Sequence, residues 1–399
     1  MSVVTDKKRI DEIFSRGIVS EIIPSKDEFL QLLLSGRKLK IYIGADPTSS
    51  SLHLSHAKNY MFLEELRELG HEAVILVGDF TAQIGDPSER TETRKQISEE
   101  KIKENVREWI SQIKPLTNFE DSENPPRIVY NSEWLSKLSL KDLIPLASNF
   151  TVQQMLERDM FEKRLNKNIP IYLHEFLYPL MQGYDSAVLD VDVELCGTDQ
   201  IFNALAGRTL LKRLKNKDKF IIALNLMENP KTKELMSKSK GTGVFLSSLP
   251  NEMYGAIMAQ PDEMIEILFI NCTRIPLSEK DSIMALGPRN AKARVAFEIV
   301  KKFYGDGSAT QAEQEFISTF SKKEAPKDIP VENARNGERW DEFLIRTKLV
   351  ESKAEAKRLI NGGGVDFNDK RVKEPGAVIT KSGTAKIGKT RFIRIEVGV

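Results

Sequence analysis

Lys40-Ile41-Tyr42-Ile43-Gly44-Ala45-Asp46-Pro47-Thr48, continued by Ser49-Ser50-Ser51 and Leu52-His53-Leu54-Ser55-His56, takes the chain out of a strand and into a helix. Lys40 to Ala45 has the length and apolar content of a short buried strand, and Pro47 with the three serines ends it. Phe62, Leu66 and Leu69 then recur at i, i+4 and i+7, which predicts one buried helical face. His53 and His56 fall in the first helical turn, beside free backbone N–H groups and the positive end of the helix dipole. That setting suits phosphate oxygens and points to a polyanionic ligand, although a bare pair of histidines at this spacing also occurs on ordinary capped helices.

Beyond this turn, Glu72 to Asp79 contains the continuous apolar run Ala73-Val74-Ile75-Leu76-Val77, as expected of a parallel strand covered on both faces. Strand, helix and strand together predict a doubly wound α/β sheet. The glycine-punctuated loop Thr81-Ala82-Gln83-Ile84-Gly85-Asp86-Pro87-Ser88 follows, at a strand end where open α/β sheets place ligands. Further on, Tyr178, Gln182 and Asp185 share one stripe of a predicted helix over Leu173 to Leu189, hemmed by Phe176, Leu177, Leu180, Met181 and Tyr184. A phenol, an amide and a carboxylate in apolar surroundings read as a lined pocket more than as a solvated face. Val191 to Leu195 enters another strand that ends at Cys196-Gly197-Thr198-Asp199-Gln200. Lys219 to Leu226 is a further buried strand, and the basic loop Lys231 to Gly241 follows it.

The 399 residues, 40% hydrophobic and 29% charged, are ordinary for a globular protein of two or three domains. No apolar run approaches a bilayer span, and residues 1–38 read as helical, opening on a mixed-charge amphipathic helix rather than a leader, so a cytoplasmic protein without a membrane partner is expected. Two cysteines without C-x-x-C spacing exclude a disulfide framework and disfavour structural zinc. Net charge is +1, but residues 345–399 hold thirteen Lys or Arg against six Asp or Glu, so the preceding chain carries a net −6. A basic tail on an acidic body suggests a polyanionic partner for the tail.

Gly44-Ala45-Asp46-Pro47-Thr48 with Leu52-His53-Leu54-Ser55-His56 resembles the first motif of class I aminoacyl-tRNA synthetases, and Met236-Ser237-Lys238-Ser239 resembles the second. The loop Thr81 to Ser88, the stripe Tyr178-x-x-x-Gln182-x-x-Asp185 and Gly197-Thr198-Asp199-Gln200 resemble bacterial tyrosyl-tRNA synthetases in particular. The resemblance implies a Rossmann-like catalytic domain over 1–230 and a dimer-forming helical insertion at about 100–165. It also implies a mobile catalytic loop over 231–245, a helical domain over 246–321, a linker over 322–337 and an S-four-like RNA-binding domain over 338–399. It further implies adenylation of L-tyrosine by ATP, with Mg²⁺ accompanying the nucleotide and no permanently bound cofactor or metal site, then transfer to the 3′ end of tRNA(Tyr) by a homodimer. By the same resemblance Tyr42 and Asp185 would bind the tyrosine hydroxyl, Tyr178, Gln182 and Asp86 its ammonium group, and Gln200 its carboxylate. Gly44, Asp46, His56, Gly197 and Asp199 would line the adenosine site. Thr48, His53 and Lys238 would contact the triphosphate. Arg346, Lys348, Lys353, Lys357 and Arg358 would meet tRNA phosphates.

The sequence departs from the pattern in three places. Ser55 stands where a glycine usually separates the two histidines, Leu235 where a lysine usually opens the second motif, and Cys196 where a glycine is common. Lys233, Arg90 or Lys240 could replace the lost lysine. A tryptophanyl enzyme is the alternative, disfavoured by Asp185, whose carboxylate suits a phenol more than an indole. A catalytically impaired, synthetase-like RNA-binding protein is the alternative outside enzymology.

Overall fold

In the computed structural model, residues 2–86, 97–156, 159–236, 242–321, 329–368, 370–388 and 391–398 are described. The chain divides into two compact units, residues 1–310 and 311–399.

The first unit is built on a six-stranded sheet: β1 (Val19–Ile23), β2 (Lys40–Ala45), β3 (Glu72–Val77), β4 (Arg127–Tyr130), β5 (Val193–Gly197) and β6 (Phe220–Leu224). The strand order is β1-β6-β5-β2-β3-β4, all parallel except β1, which runs antiparallel to β6 at the edge. The apolar run of β3 is buried throughout, as a strand sandwiched between layers must be. Helix Leu54–Glu68 returns the chain from β2 to β3, with Phe62, Leu66 and the adjoining Leu69 fully buried and the Phe62 ring edge-on to Phe14 of the first helix. From β2 the sheet grows one way through β3 and the other way through β5. Its switch point therefore lies between the C-terminal ends of β2 and β5, where such sheets hold ligands.

Three expectations are corrected. Residues 1–38 are not all helical, since Val19–Ile23 forms β1. Its pairing with β6, rather than any apolar alternation of its own, makes it a strand. The insertion does not stand apart over 100–165, because helix Glu99–Ile113 packs its Ile102 and Val106 on Val77, and β4 joins the main sheet. Short helices between Leu140 and Asn166 make up the remainder. Finally, the expected linker contains the strand Val331–Arg335, which runs parallel to Arg391–Gly398 in the second unit. Of that strand only Ala334 is buried, so it is a polar edge strand with no apolar signature.

The second unit has its own core, in which Trp340, Phe343, Leu344, Ile360, Ile387 and Ile395 are buried. Helices Trp340–Arg346 and Lys353–Asn361 pack beside a five-stranded sheet. No helix among the described residues is long and apolar enough to cross a membrane.

Candidate active site

A cavity of about 370 Å³ opens at the switch point. Tyr42, Gly44, Asp46 and Thr48 reach it from β2 and the turn after it, His53 and His56 from the helix start, and Asp86 from the loop after β3. Tyr178, Gln182 and Asp185 enter from helix Leu177–Leu189, and Gly197, Asp199 and Gln200 from the end of β5. The described residues assigned to the tyrosine and nucleotide sites are thus brought to one place, whereas Lys233, offered as a substitute cation, does not line the cavity and pairs with Glu228 at 3.2 Å. Arg90, Lys238 and Lys240 lie outside the described residues.

Three side chains from one helix fix the turn after β2. Asn105 Nδ2 donates to the Pro47 carbonyl at 2.8 Å, Trp109 Nε1 to Ser49 at 2.6 Å and Gln112 Nε2 to Ser50 at 2.8 Å. The segment beyond the second motif straps the first, because the Leu54 amide donates to the Val244 carbonyl at 3.0 Å and the Leu246 amide to Leu52 at 2.9 Å. For two amides of the first helical turn this overturns the expectation of free N–H groups. Leu54 is engaged by the strap, and the His56 amide donates to the His53 carbonyl at 2.8 Å. His56 Nδ1 accepts from the His53 amide at 3.2 Å, completing the cap. Burial lowers the His53 pKa to about 4 and the His56 pKa to about 3, so both imidazoles are neutral at pH 7.

At the closed end, Asp185 is 2% exposed. It accepts from Trp134 Nε1 at 2.7 Å and from Asn131 Nδ2 at 3.2 Å. Burial raises its pKa well above the usual carboxylate range, against the opposing pull of those two donors. The Tyr42 hydroxyl meets Ser186 Oγ at 2.8 Å. Toward the middle, Gln182 Nε2 donates to Glu194 at 3.1 Å, and its carbonyl oxygen accepts from Asn203 at 3.0 Å. Gln200 donates to Asp86 and Asp199, each at 2.7 Å. Asp46, expected on the adenosine, instead receives Tyr178 O–H at 2.9 Å and Thr81 O–H at 2.7 Å on its two oxygens. A Cβ at Gly78 would come 2.1 Å from Asp46 Oδ1, so only glycine admits that carboxylate.

Sequence reading missed Thr81, Asn131, Trp134, Ser186, Glu194 and Lys219. For Glu194 and Lys219 a signal existed: each is a charge at or inside an apolar strand covered on both faces, which requires a partner. The others show nothing in the sequence, because their contacts depend on the sheet order.

The chain belongs to the tyrosine–tRNA ligases. The family profile described as class I tRNA synthetases for tryptophan and tyrosine matches residues 34–321. Tyrosine–tRNA ligase of Carboxydothermus hydrogenoformans is 40% identical across 98% of both chains, and that of Thermotoga maritima 37% identical across 97% of both. A C-terminally truncated Aspergillus nidulans mitochondrial tyrosyl-tRNA synthetase shares the fold, with a TM-score of 0.67 at 21% identity over 78% of this chain and 94% of that one. Tyrosyl-tRNA synthetase of Archaeoglobus fulgidus, solved with L-tyrosine, has a TM-score of 0.58 at 21% identity over 77% of this chain and 99% of that one. The class I tyrosine enzyme expected from the motifs is therefore the one found, and a tryptophan enzyme is not.

In the second unit, Lys348, Lys353, Lys357 and Arg358 are exposed, as a phosphate-binding face requires. Arg346 differs: its guanidinium donates to Glu338 at 2.7 and 2.8 Å and to the Asn333 carbonyl at 2.6 Å, so its charge is already matched. Lys370, Arg371, Lys373 and Lys381, not singled out in the sequence, line a second cavity together with Trp340 and Phe367.

Proposed function

We propose that the cavity binds L-tyrosine at its closed end and ATP, as its magnesium complex, at its open end. The tyrosine carboxylate attacks the α-phosphate, pyrophosphate leaves, and tRNA then accepts the tyrosyl group. The observation that carries the reading is the pairing of buried Asp185 with Tyr42 at the closed end, an acceptor and a hydroxyl facing one space. Its raised pKa is consistent with a carboxyl group that needs a donor such as a phenol to hold its charge. Tyr178, Gln182 and Asp86 receive the ammonium group and Gln200 the carboxylate, while Asp46 serves the boundary with the nucleotide. His53 and His56, neutral, act as hydrogen-bonding groups toward ATP rather than as cations. Thr48, Gly44, Gly197 and Asp199 complete the nucleotide side, and Lys238 supplies charge to the triphosphate. No enzyme nucleophile is needed, so positioning and charge stabilisation account for the rate.

The second unit is assigned to tRNA through Lys348, Lys353, Lys357 and Arg358, with the cations around Trp340 extending that face. A homodimer through the helical insertion is supported by exposed Leu140, Ile144, Val152, Leu165 and Leu173, a concentration of apolar side chains that a partner would cover. A sedimentation mass equal to one chain at every concentration would refute the dimer. Exchange of pyrophosphate into ATP, measured with tyrosine, with tryptophan and without amino acid, tests the main assignment. Exchange with tyrosine alone is expected; tryptophan-driven exchange, or none, contradicts it.

A further inference from the structure

Beneath the tyrosine end lies an ion pair with no part in the chemistry above. Lys219, at the start of β6, and Glu194, in β5, are bonded to each other, and their side chains are 0% and 3% exposed. Lys219 Nζ also donates to Ser186 Oγ at 2.7 Å, the hydroxyl on which Tyr42 rests. A Cβ at Gly207 would come 2.6 Å from that Nζ and 2.8 Å from Ser186 Oγ, so the glycine is what admits the ammonium group. Glu194 uses its other oxygen to accept from Gln182.

The polarity of this chain is informative. An ionised carboxylate only accepts, so Gln182 must turn its NH₂ toward Glu194 and its carbonyl away from it. That carbonyl, already accepting from Asn203, keeps a lone pair for a donor such as the substrate ammonium group. A neutral partner in place of Glu194 could donate as well as accept, leaving only the Asn203 bond to face the amide one way. Lys219 lies bonded to that carboxylate and is its counter-charge.

We propose that Lys219 and Glu194 are positioning residues for amino-acid recognition: the buried pair sets the direction of the Gln182 amide and seats Ser186 under Tyr42, so that one pair orients both ends of the tyrosine site. The proposal rests on assigning this end of the cavity to tyrosine. It predicts a selective effect. In Glu194→Gln, where the new amide can donate as well as accept, and in Lys219→Met, where the carboxylate loses its counter-charge and Ser186 its donor, KM for tyrosine rises by about 10- to 100-fold, the range of one hydrogen bond to a charged group. KM for ATP stays within about twofold. The double variant Lys219→Met with Glu194→Gln leaves no unpaired buried charge, so it recovers most of the thermal stability lost by either single variant but keeps the raised tyrosine KM. Pyrophosphate-exchange kinetics and thermal unfolding on all four full-length proteins read this out, and the double variant provides the answer if a single one does not fold. Tyrosine KM returning with stability in the double variant, or tyrosine and ATP KM rising equally, overturns the proposal. Wild-type protein that shows no exchange with tyrosine overturns the substrate assignment and the proposal with it.

Discussion

The two ends of the active-site cavity are built differently. At the tyrosine end, Asp185, Tyr42, Tyr178 and Gln182 each bond to a neighbouring side chain of the protein itself: Trp134 and Asn131 from the segment after β4, Ser186 from helix Leu177–Leu189, Asp46 from the turn after β2 and Glu194 from β5. At the nucleotide end the wall is mixed: two neutral imidazoles, the polar side chains of Thr48, Ser55, Lys58 and Asp199, and the apolar side chains of Met227, Leu235 and Met236. The first end presents its geometry before the ligand arrives. The second, as proposed, draws further charge from Lys238 to balance a triphosphate. Specificity should accordingly reside in the preassembled end and rate in the other.

Removing the phenol from the substrate challenges this contrast most severely. Phenylalanine would leave Asp185 and Tyr42 buried without their ligand, and its kcat/KM in pyrophosphate exchange should fall by about 10⁵, the magnitude already established for tyrosyl-tRNA synthetases as a class. Similar exchange rates with both amino acids would dismiss the closed-end assignment. Next in size is Lys238→Ala, which should slow single-turnover adenylate formation by about 10²–10³ while tyrosine affinity is unchanged, as expected for the loss of a transition-state donor. The companion Leu235→Lys restores the usual lysine. It should speed that step, unless Lys233 or Arg90 already fills the role, in which case it is silent.

Smaller effects separate the two units and the two kinds of wall. Deleting residues 329–399 should leave exchange intact and weaken tRNA charging. Charging by the full-length enzyme should fall more steeply with salt than charging by the shortened one, because the basic module neutralises phosphates; equal slopes would remove it from tRNA binding. The smallest effect is on stability. Burial depresses the pKa values of His53 and His71 to about 4 and of His56 to about 3, from an ordinary 6.5. Between those values the unfolded chain binds more protons than the folded one, so stability is complete above about pH 6.5 and declines as pH falls toward 4. Urea midpoints at pH 7 and pH 5 should differ in that sense, and His53→Asn should reduce the difference.

The motif-bearing turns were legible because each couples a strand end to residues of distinctive chemistry, as Asp46-Pro47-Thr48 and Gly197-Thr198-Asp199 do. β3 was legible because burial on both faces writes an unbroken apolar run. Val19–Ile23 and Val331–Arg335 were not, since each is an edge strand whose pairing partner, not its own pattern, makes it extended. The supporting layer under the pocket was hidden for a related reason. Glu194 and Lys219 are 25 residues apart in sequence and meet only because β5 and β6 are neighbours. Arg346, expected to face RNA, also has a partner that its sequence position does not reveal, since it is bonded to Glu338.

Equilibrium binding of tyrosine in the absence of ATP tests most directly whether the tyrosine end stands ready on its own. Wild-type protein and Lys238→Ala should bind tyrosine without nucleotide and with the same affinity, while Asp185→Asn should bind it far more weakly. Tyrosine binding that appears only once ATP is present, or that weakens in Lys238→Ala as much as in Asp185→Asn, would contradict the account.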